Sequence, residues 1–396
     1  MWPLPLVAML GNAGSTCFAF SGGVFMSALT QEFGWSRAQF SSAFTVQMLL
    51  GLLVVPIVGP LIDRLGSRRV ALIGIVPFVV GFSLLALVNG PVWQWVALCS
   101  VQALFGALIG PTVWVKAVIG RFTASRGAAL AVVMAGVGVG AAVWPVLAAS
   151  YLQTLGWRGA FPALALSWGI IVLPLTYWLF HETPGRAAQA APDLSRSALW
   201  PLLRSRAFVF LAVAGSIYKA ATFGLTLHLV PVLQGKGMSL TDAAAIAGMF
   251  GIFGIAGRLA TGILLDLLPT RPLSIFMFLL PVVVSILVFY AQGSWILAII
   301  AVAILGFSTG AESDIIGFMA ARHFDHRVFG SVYSYMMAPV SVCASLGPLI
   351  AGMCFDQQGT YDLYLAIMAV LIAISALLIA RMPGEASAAA AANPAR

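Results

Sequence analysis

The stretch GPLIDRLGSRR, residues 59–69, follows one long apolar run, and GILLDLLPTR, residues 262–271, closes another. Superposing Asp63 on Asp266 also places Gly59 on Gly262 and sets an arginine after each turn. A second pair aligns as well: LFGALIG (104–110) on ILGFSTG (304–310), with Gly106 on Gly306 and Gly110 on Gly310. The chain therefore reads as two tandem, weakly similar halves, a pattern typical of membrane transport folds.

Composition supplies the solvent. Of 396 residues, 61% are hydrophobic and only 8% charged, against roughly 25% charged in soluble domains. Such a chain cannot cover a water-facing surface. About 20 apolar residues span a bilayer, and twelve runs of that kind follow one another from 5–28 to 361–381. Their internal Pro and Gly are tolerated in membrane helices. They do not alternate apolar with polar residues, as barrel strands do. The fold class that follows is an all-α integral membrane protein, with twelve transmembrane helices in two pseudo-symmetric six-helix bundles. The N-terminus, MWPLPLVAML, lacks the basic start of a cleavable signal and reads as the first span. The polar interruption HETPGRAAQAAPDLSRSALWPLLRSR divides the spans six and six. The expected units are a bundle at 1–181, a linker at 182–206, a second bundle at 207–382 and a low-complexity tail at 383–396. Fourteen of the twenty Lys and Arg fall in loops on one side, including Arg186, Arg327 and Arg396; only Arg37, Arg158 and Lys236 fall in loops on the other. By the positive-inside rule both termini are cytoplasmic, in a cell's inner membrane.

The net charge of +8 thus expresses topology. Dispersed over short loops, it forms no basic-aromatic patch for nucleic acid. Cys17, Cys99, Cys343 and Cys354 make no CxxC pair and read as membrane-buried thiols. His181, His323 and His326 form no metal set, and GVGVG (136–140) lacks the flanking strand of a dinucleotide site but permits close helix contact. No metal, cofactor or ATP-driven step is expected, and no nucleophile–base set points to an enzyme.

With those residues in hand, GPLIDRLGSRR resembles the loop between spans two and three of the major facilitator superfamily, G-x-x-x-D-R-x-G-R-[RK]-x, with Ser67 where Arg is frequent. The resemblance implies that Gly59 permits close helix packing. It also implies that Asp63, Arg64 and Arg68, with Asp266 in the second half, form a cytoplasmic latch that changes with transport state. SALTQEFGWSRAQFSSAF, LHLVPVLQGKG, GRLATGILLD and FGSVYSYMMAPVSVCASLGPLIAGMCFDQQGTY look like the monocarboxylate-porter and oxalate-exchanger branch.

Five charged residues lie within the spans: Lys116, Lys219, Arg258, Glu312 and Asp314. Each costs about 2.5–3.5 kcal/mol at a helix centre unless it meets water or a partner. Counting about 1.5 Å per residue, Arg258 lies roughly 12 Å inside Asp266, Lys219 roughly 16 Å past Phe208, and Glu312 and Asp314 roughly 15 and 12 Å inside Arg322. Four charges thus crowd one level near the membrane centre, where such transporters hold substrate. Lys116, five residues before Arg121, either snorkels to the headgroups or reaches the cavity. The repeat pairs Arg258 with Val55, so the scaffold does not demand a base there. Its planar fork suits a carboxylate, and the resembling branch has a substrate-contacting arginine at this place; an ion pair with Asp314 is the alternative. Lys219 either assists an anion or pairs with Glu312. Two residues apart on a helix means about 200° of rotation, so Glu312 and Asp314 face different partners. One of them carries a coupling proton, or both neutralise the cations. Trp114 and Tyr333 are candidate cavity-lining residues, and His228 a gate or packing residue. The branch's acid one turn before this arginine is absent here, replaced by Gly254, and Asn12 lies where the first span's acidic signature is missing.

The expected function is secondary transport of a small carboxylate-bearing organic anion by alternating access, with a proton, in a functional monomer. Anion exchange, or a drug or sugar carrier of the same fold, are the alternatives; the midplane cations speak against a drug carrier.

Overall fold

The computed structural model describes residues 2–122, 125–181, 196–325 and 328–383. Most of the expected linker (182–195) and the tail (384–396), with Arg186, Arg327, His326 and Arg396, lie outside them. Pro3–Ser15 (α1) and Cys17–Phe33 (α2) make span one, Arg37–Leu65 (α3) span two and Ser67–Leu84 (α4) span three. Val92–Ala107 (α5) and Pro111–Arg121 (α6) make span four, and Arg126–Leu179 (α7) spans five and six. After the short Arg196–Leu203 (α8), spans seven to twelve are Arg206–Gly235 (α9), Leu240–Leu267 (α10), Thr270–Phe289 (α11), Trp295–His323 (α12), Phe329–Gln358 (α13) and Asp362–Ala380 (α14).

Local chemistry sets these limits. Ser36 and Gln39 form a reciprocal capping box at the start of α3. Ser205, Ser239 and Ser294 each accept an amide proton at the start of α9, α10 and α12, satisfying donors that helices leave orphaned. Span four breaks at Gly110–Pro111, because Pro111 has no amide to continue the ladder but opens a new helix readily. Gly156, at φ 66 and ψ 172, interrupts α7 and turns one 54-residue helix into two spans. That position is open to glycine because it has no Cβ.

In the first half α1 and α4 pack on α7, and α3 on α5; in the second, α9 packs on α13, α10 on α12 and α11 on α14. The halves meet through α3 on α13 and through α10 on α7. Span two touches span eleven, and its repeat mate, span eight, touches span five, so the interface itself obeys the repeat. In lipid the hydrophobic effect does not drive helices together, and close backbone approach does. Gly138 and Gly251 face each other across α7 and α10, where a Cβ at Gly251 would strike the Gly138 carbonyl and the Ala142 amide.

The two ends of the interface differ. At the end remote from Asp63, the amides of Arg37 and Ala38 donate to Asp356 at 2.8 and 2.9 Å, which caps α3 with a carboxylate from α13. The Arg37 guanidinium lies 3.5 Å from the Phe355 ring centroid and donates to the Tyr361 hydroxyl. Buried His228 completes this seal. Its Nδ1 lies 2.7 Å from the Tyr361 hydroxyl, and Nε2 lies 2.9 Å from the Pro348 carbonyl and 3.0 Å from Ser41 Oγ. Because a carbonyl only accepts, Nε2 carries the proton and Nδ1 accepts from Tyr361.

At the arginine-rich end the halves stand apart. A Cβ at Gly59 or at Gly262 would meet no heavy atom within 4 Å. The close packing expected of Gly59 is therefore not made in this conformation.

Candidate functional site

Between the halves lies a cavity of about 660 Å³, lined by spans one, two, four, five, seven, eight and ten. Helical spacing builds its second wall. Lys219, Phe223 and Thr226 share one face of α9, and Gly251, Gly254 and Arg258 share one face of α10. Val55, the repeat mate of Arg258, lines the same cavity from the opposite half.

The four central charges resolve into two pairs. Lys219 Nζ lies 2.6 Å from Glu312 Oε2 and 3.3 Å from Ser313 Oγ, and Ser313 Oγ in turn donates to Glu312 at 3.1 Å. Glu312 is 1% exposed, a burial tolerable only with such partners. Arg258 meets Asp314 through Nε at 3.5 Å, with the two side chains 39% and 35% exposed. The terminal guanidinium nitrogens make no hydrogen bond among the described residues. The 200° separation on α12 thus sends Glu312 to α9 and Asp314 to α10. Lys219, Arg258 and Ser313 line the cavity, and the two carboxylates do not. The cluster is formally neutral, yet it turns its positive groups toward the void.

Other expected site residues fall elsewhere. Trp114 is completely buried; its indole donates to the Ile109 carbonyl at 2.8 Å and its ring lies edge-on to Phe180. It packs where Gly11 gives it room, outside the cavity lining, so the expectation of a cavity role is corrected. Tyr333 stacks on Phe329 with centroids 5.5 Å apart and reaches toward Gly317 on α12, also outside the lining. Lys116 lies outside the cavity lining and pairs with the exposed Asp63. Arg68 donates to the Tyr177 carbonyl at 2.5 Å, and Arg64 and Asp266 are exposed.

Sequence reasoning passed over Gln47 and Gln102, which line the cavity from α3 and α5 and hydrogen-bond to each other. The signal was present, since each is a lone amide within an apolar run. The Asp356–Arg37 seal was not visible at all, its partners being 319 residues apart.

A family model described as Major Facilitator Superfamily matches residues 8–311. A gallate transporter of Pseudomonas putida is 26% identical over 369 residues, covering 83% of this chain and 80% of that protein. Monocarboxylate transporter 13 of Rattus norvegicus is 26% identical over 391 residues, covering 96% and 88%. Among solved structures, a D-xylose-proton symporter superposes with a TM-score of 0.77 at 15% identity, covering 98% of each chain. The doubled six-span fold, the paired central charges and these matches agree, and the chain belongs to the Major Facilitator Superfamily.

Proposed function

We propose that the chain is a secondary transporter of a small organic anion bearing a carboxylate, and that it works with a proton. One observation carries the reading: two cations line a largely apolar cavity, and neither of their carboxylate partners lines it. The printed names of the gallate and monocarboxylate relatives agree with it.

On this reading the terminal nitrogens of Arg258 take the substrate carboxylate in a bidentate fork, with Lys219 adding field. Substrate and Asp314 then compete for one guanidinium. Once displaced, Asp314 is a carboxylate that has lost its cation, and loss of a neighbouring positive charge favours uptake of a proton. Anion and proton thereby cross together. Glu312, sealed beneath Lys219, acts as the fixed counter-charge. With the arginine-rich end cytoplasmic, the cavity is open inward and the Asp356–Arg37 end is shut. The Asp63–Lys116 pair belongs to the latch of the open end, together with Gly59, Arg64, Arg68 and Asp266. One chain encloses the whole site, so a monomer suffices.

The test is uptake into proteoliposomes of labelled monocarboxylates and dicarboxylates, with and without a pH gradient, repeated with Arg258→Gln. Loss of at least tenfold in anion uptake is expected. Full transport by the variant removes the assigned role. Uptake indifferent to the gradient establishes exchange in place of proton symport.

A further inference from the structure

We infer that the substrate is an aromatic carboxylate carrying a ring hydroxyl, read at the far side of the cavity by the Gln47–Gln102 amide pair. The inference rests on the carboxylate reading above and names the rest of the molecule that the cavity fits.

The cavity has two chemical poles. Cations occupy the α9 and α10 wall. Phenylalanines stand among the rest of the lining: Phe18 stacks near Phe44 at 6.2 Å between centroids, Phe44 meets Phe223 at 6.3 Å, and Phe20 meets Phe250 at 5.8 Å. All five line the void. Two of these contacts, Phe44–Phe223 and Phe20–Phe250, join the two halves. Phe223 stands one helical turn beyond Lys219 on the same face, about 6 Å along the axis. An anion seated at the cations therefore places its next atoms against aromatic faces, where an aryl ring gains stacking beyond its buried area.

Opposite lie the amides. Gln47 Nε2 donates to Gln102 Oε1, which leaves one further acceptor and one further donor group whichever way each amide is turned. Neither finds another hydrogen-bond partner among the described residues, and both side chains face the void. A bound ligand that dries the cavity takes water from these amides, and a polar group left unmet there is costly. A phenolic hydroxyl donates and accepts at once, so it satisfies an amide pair that offers both. A short aliphatic hydroxy acid has no ring to lay beside the phenylalanines.

The competing account is a staple, in which the two amides merely tie α3 to α5. Transport separates the two. Benzoate, 4-hydroxybenzoate, lactate and hexanoate are compared in proteoliposomes containing the full chain, then with Gln102→Leu and Gln47→Leu, with thermal melting of each variant in detergent as the folding control. The inference expects 4-hydroxybenzoate to be preferred to benzoate, and both to the aliphatic acids. It also expects the 4-hydroxybenzoate-to-benzoate ratio of kcat/KM to fall roughly three- to tenfold in the variants, the worth of one neutral hydrogen bond. Where Gln102→Leu does not fold, Gln102→Asn shortens the reach and is expected to lower the same ratio. Uptake of both aromatic acids lowered by one common factor would mark a staple and overturn the inference. Preference for lactate or hexanoate also overturns it while leaving the carboxylate reading intact. Transport of none of the four, with a neutral solute carried instead, overturns both.

Discussion

Asp314→Asn is the perturbation that separates substrate competition from mere charge neutralisation. Asparagine keeps the shape of the side chain and removes its charge. At 3.5 Å, the bare attraction to Arg258 is about 5 kcal/mol for an effective dielectric of about 20. Both side chains remain more than a third exposed, and water lining the cavity screens the pair to roughly 1 kcal/mol. If substrate must displace Asp314 before it reaches Arg258, removing that competitor returns this amount to binding. The anion should bind about fivefold tighter. The same variant has no acid to carry the proton, so accumulation driven by a pH gradient should disappear while exchange of internal for external anion persists. Scintillation proximity binding in detergent measures the first effect; paired gradient-driven and counterflow assays in one liposome preparation measure the second. Weaker anion binding in the variant would refute the competition. Gradient-driven accumulation at the wild-type level would refute Asp314 as the carrier and return the proton to Glu312 or elsewhere.

Asp356→Asn removes a charge from the N-terminus of α3 at the closed end. An anion in that position contributes about 0.3–1 kcal/mol, rising to about 2 where partly buried, so the closed end should open more often, by roughly two- to thirtyfold. Electron–electron resonance distances between labels on the ends of α3 and α13 read the shift, and an unchanged distance distribution counts against the seal. Gly251→Val drives a branched side chain into the backbone of α7 at Gly138 and Ala142. It should cost about 1–3 kcal/mol or force the halves apart, seen as a lower melting temperature in detergent. Gly262→Ala, where open space lies around the Cβ position, should leave stability unchanged or raise it by up to about 1 kcal/mol; destabilisation there would mean that the open end is closed in solution.

The fold was legible because lipid demands so much of a sequence. Every span must be apolar for most of its length, and the loops carry most of the arginines, so counting alone places twelve helices. The central charges were legible for the complementary reason. Lys219, Arg258, Glu312 and Asp314 are expensive where they lie, and the rotation between Glu312 and Asp314 foretold separate partners. Other side chains were less legible. Trp114 and Tyr333 are apolar enough to be stable in a core or at a cavity wall, and nothing in one sequence decides between them; space beside Gly11 settled the first. Gln47 and Gln102 carry no charge and drew no notice, although an unpaired amide in an apolar run invites the same question as an ion. Lys116 was weighed between headgroups and cavity, and its ion-pair partner Asp63 was not foreseen because it lies 53 residues away on another span.

The glycines carry the argument one step further, from this conformation to the other. A glycine within a helix costs roughly 0.5–1 kcal/mol relative to alanine, so a helical glycine with nothing near it is unexplained by the state in which it is seen. At the shut end the glycines are used: a Cβ at Gly352 would lie 2.7 Å from the Ala38 amide, and Gly138 and Gly251 touch backbone to backbone. At the open end Gly59 and Gly262 touch nothing. They occupy equivalent places in the two repeats, on the two helices, α3 and α10, that already form the interface with the opposite half. Rocking the halves about the middle of these helices would separate the used contacts and bring the unused ones together. On the alternating-access reading proposed above, the idle pair would be the mould of the other state, with α13 closing on Gly59 and α7 closing on Gly262. On this view, Asp63 and Lys116 hold the open end's charges together within one half until that closure offers Asp63 a partner across the interface.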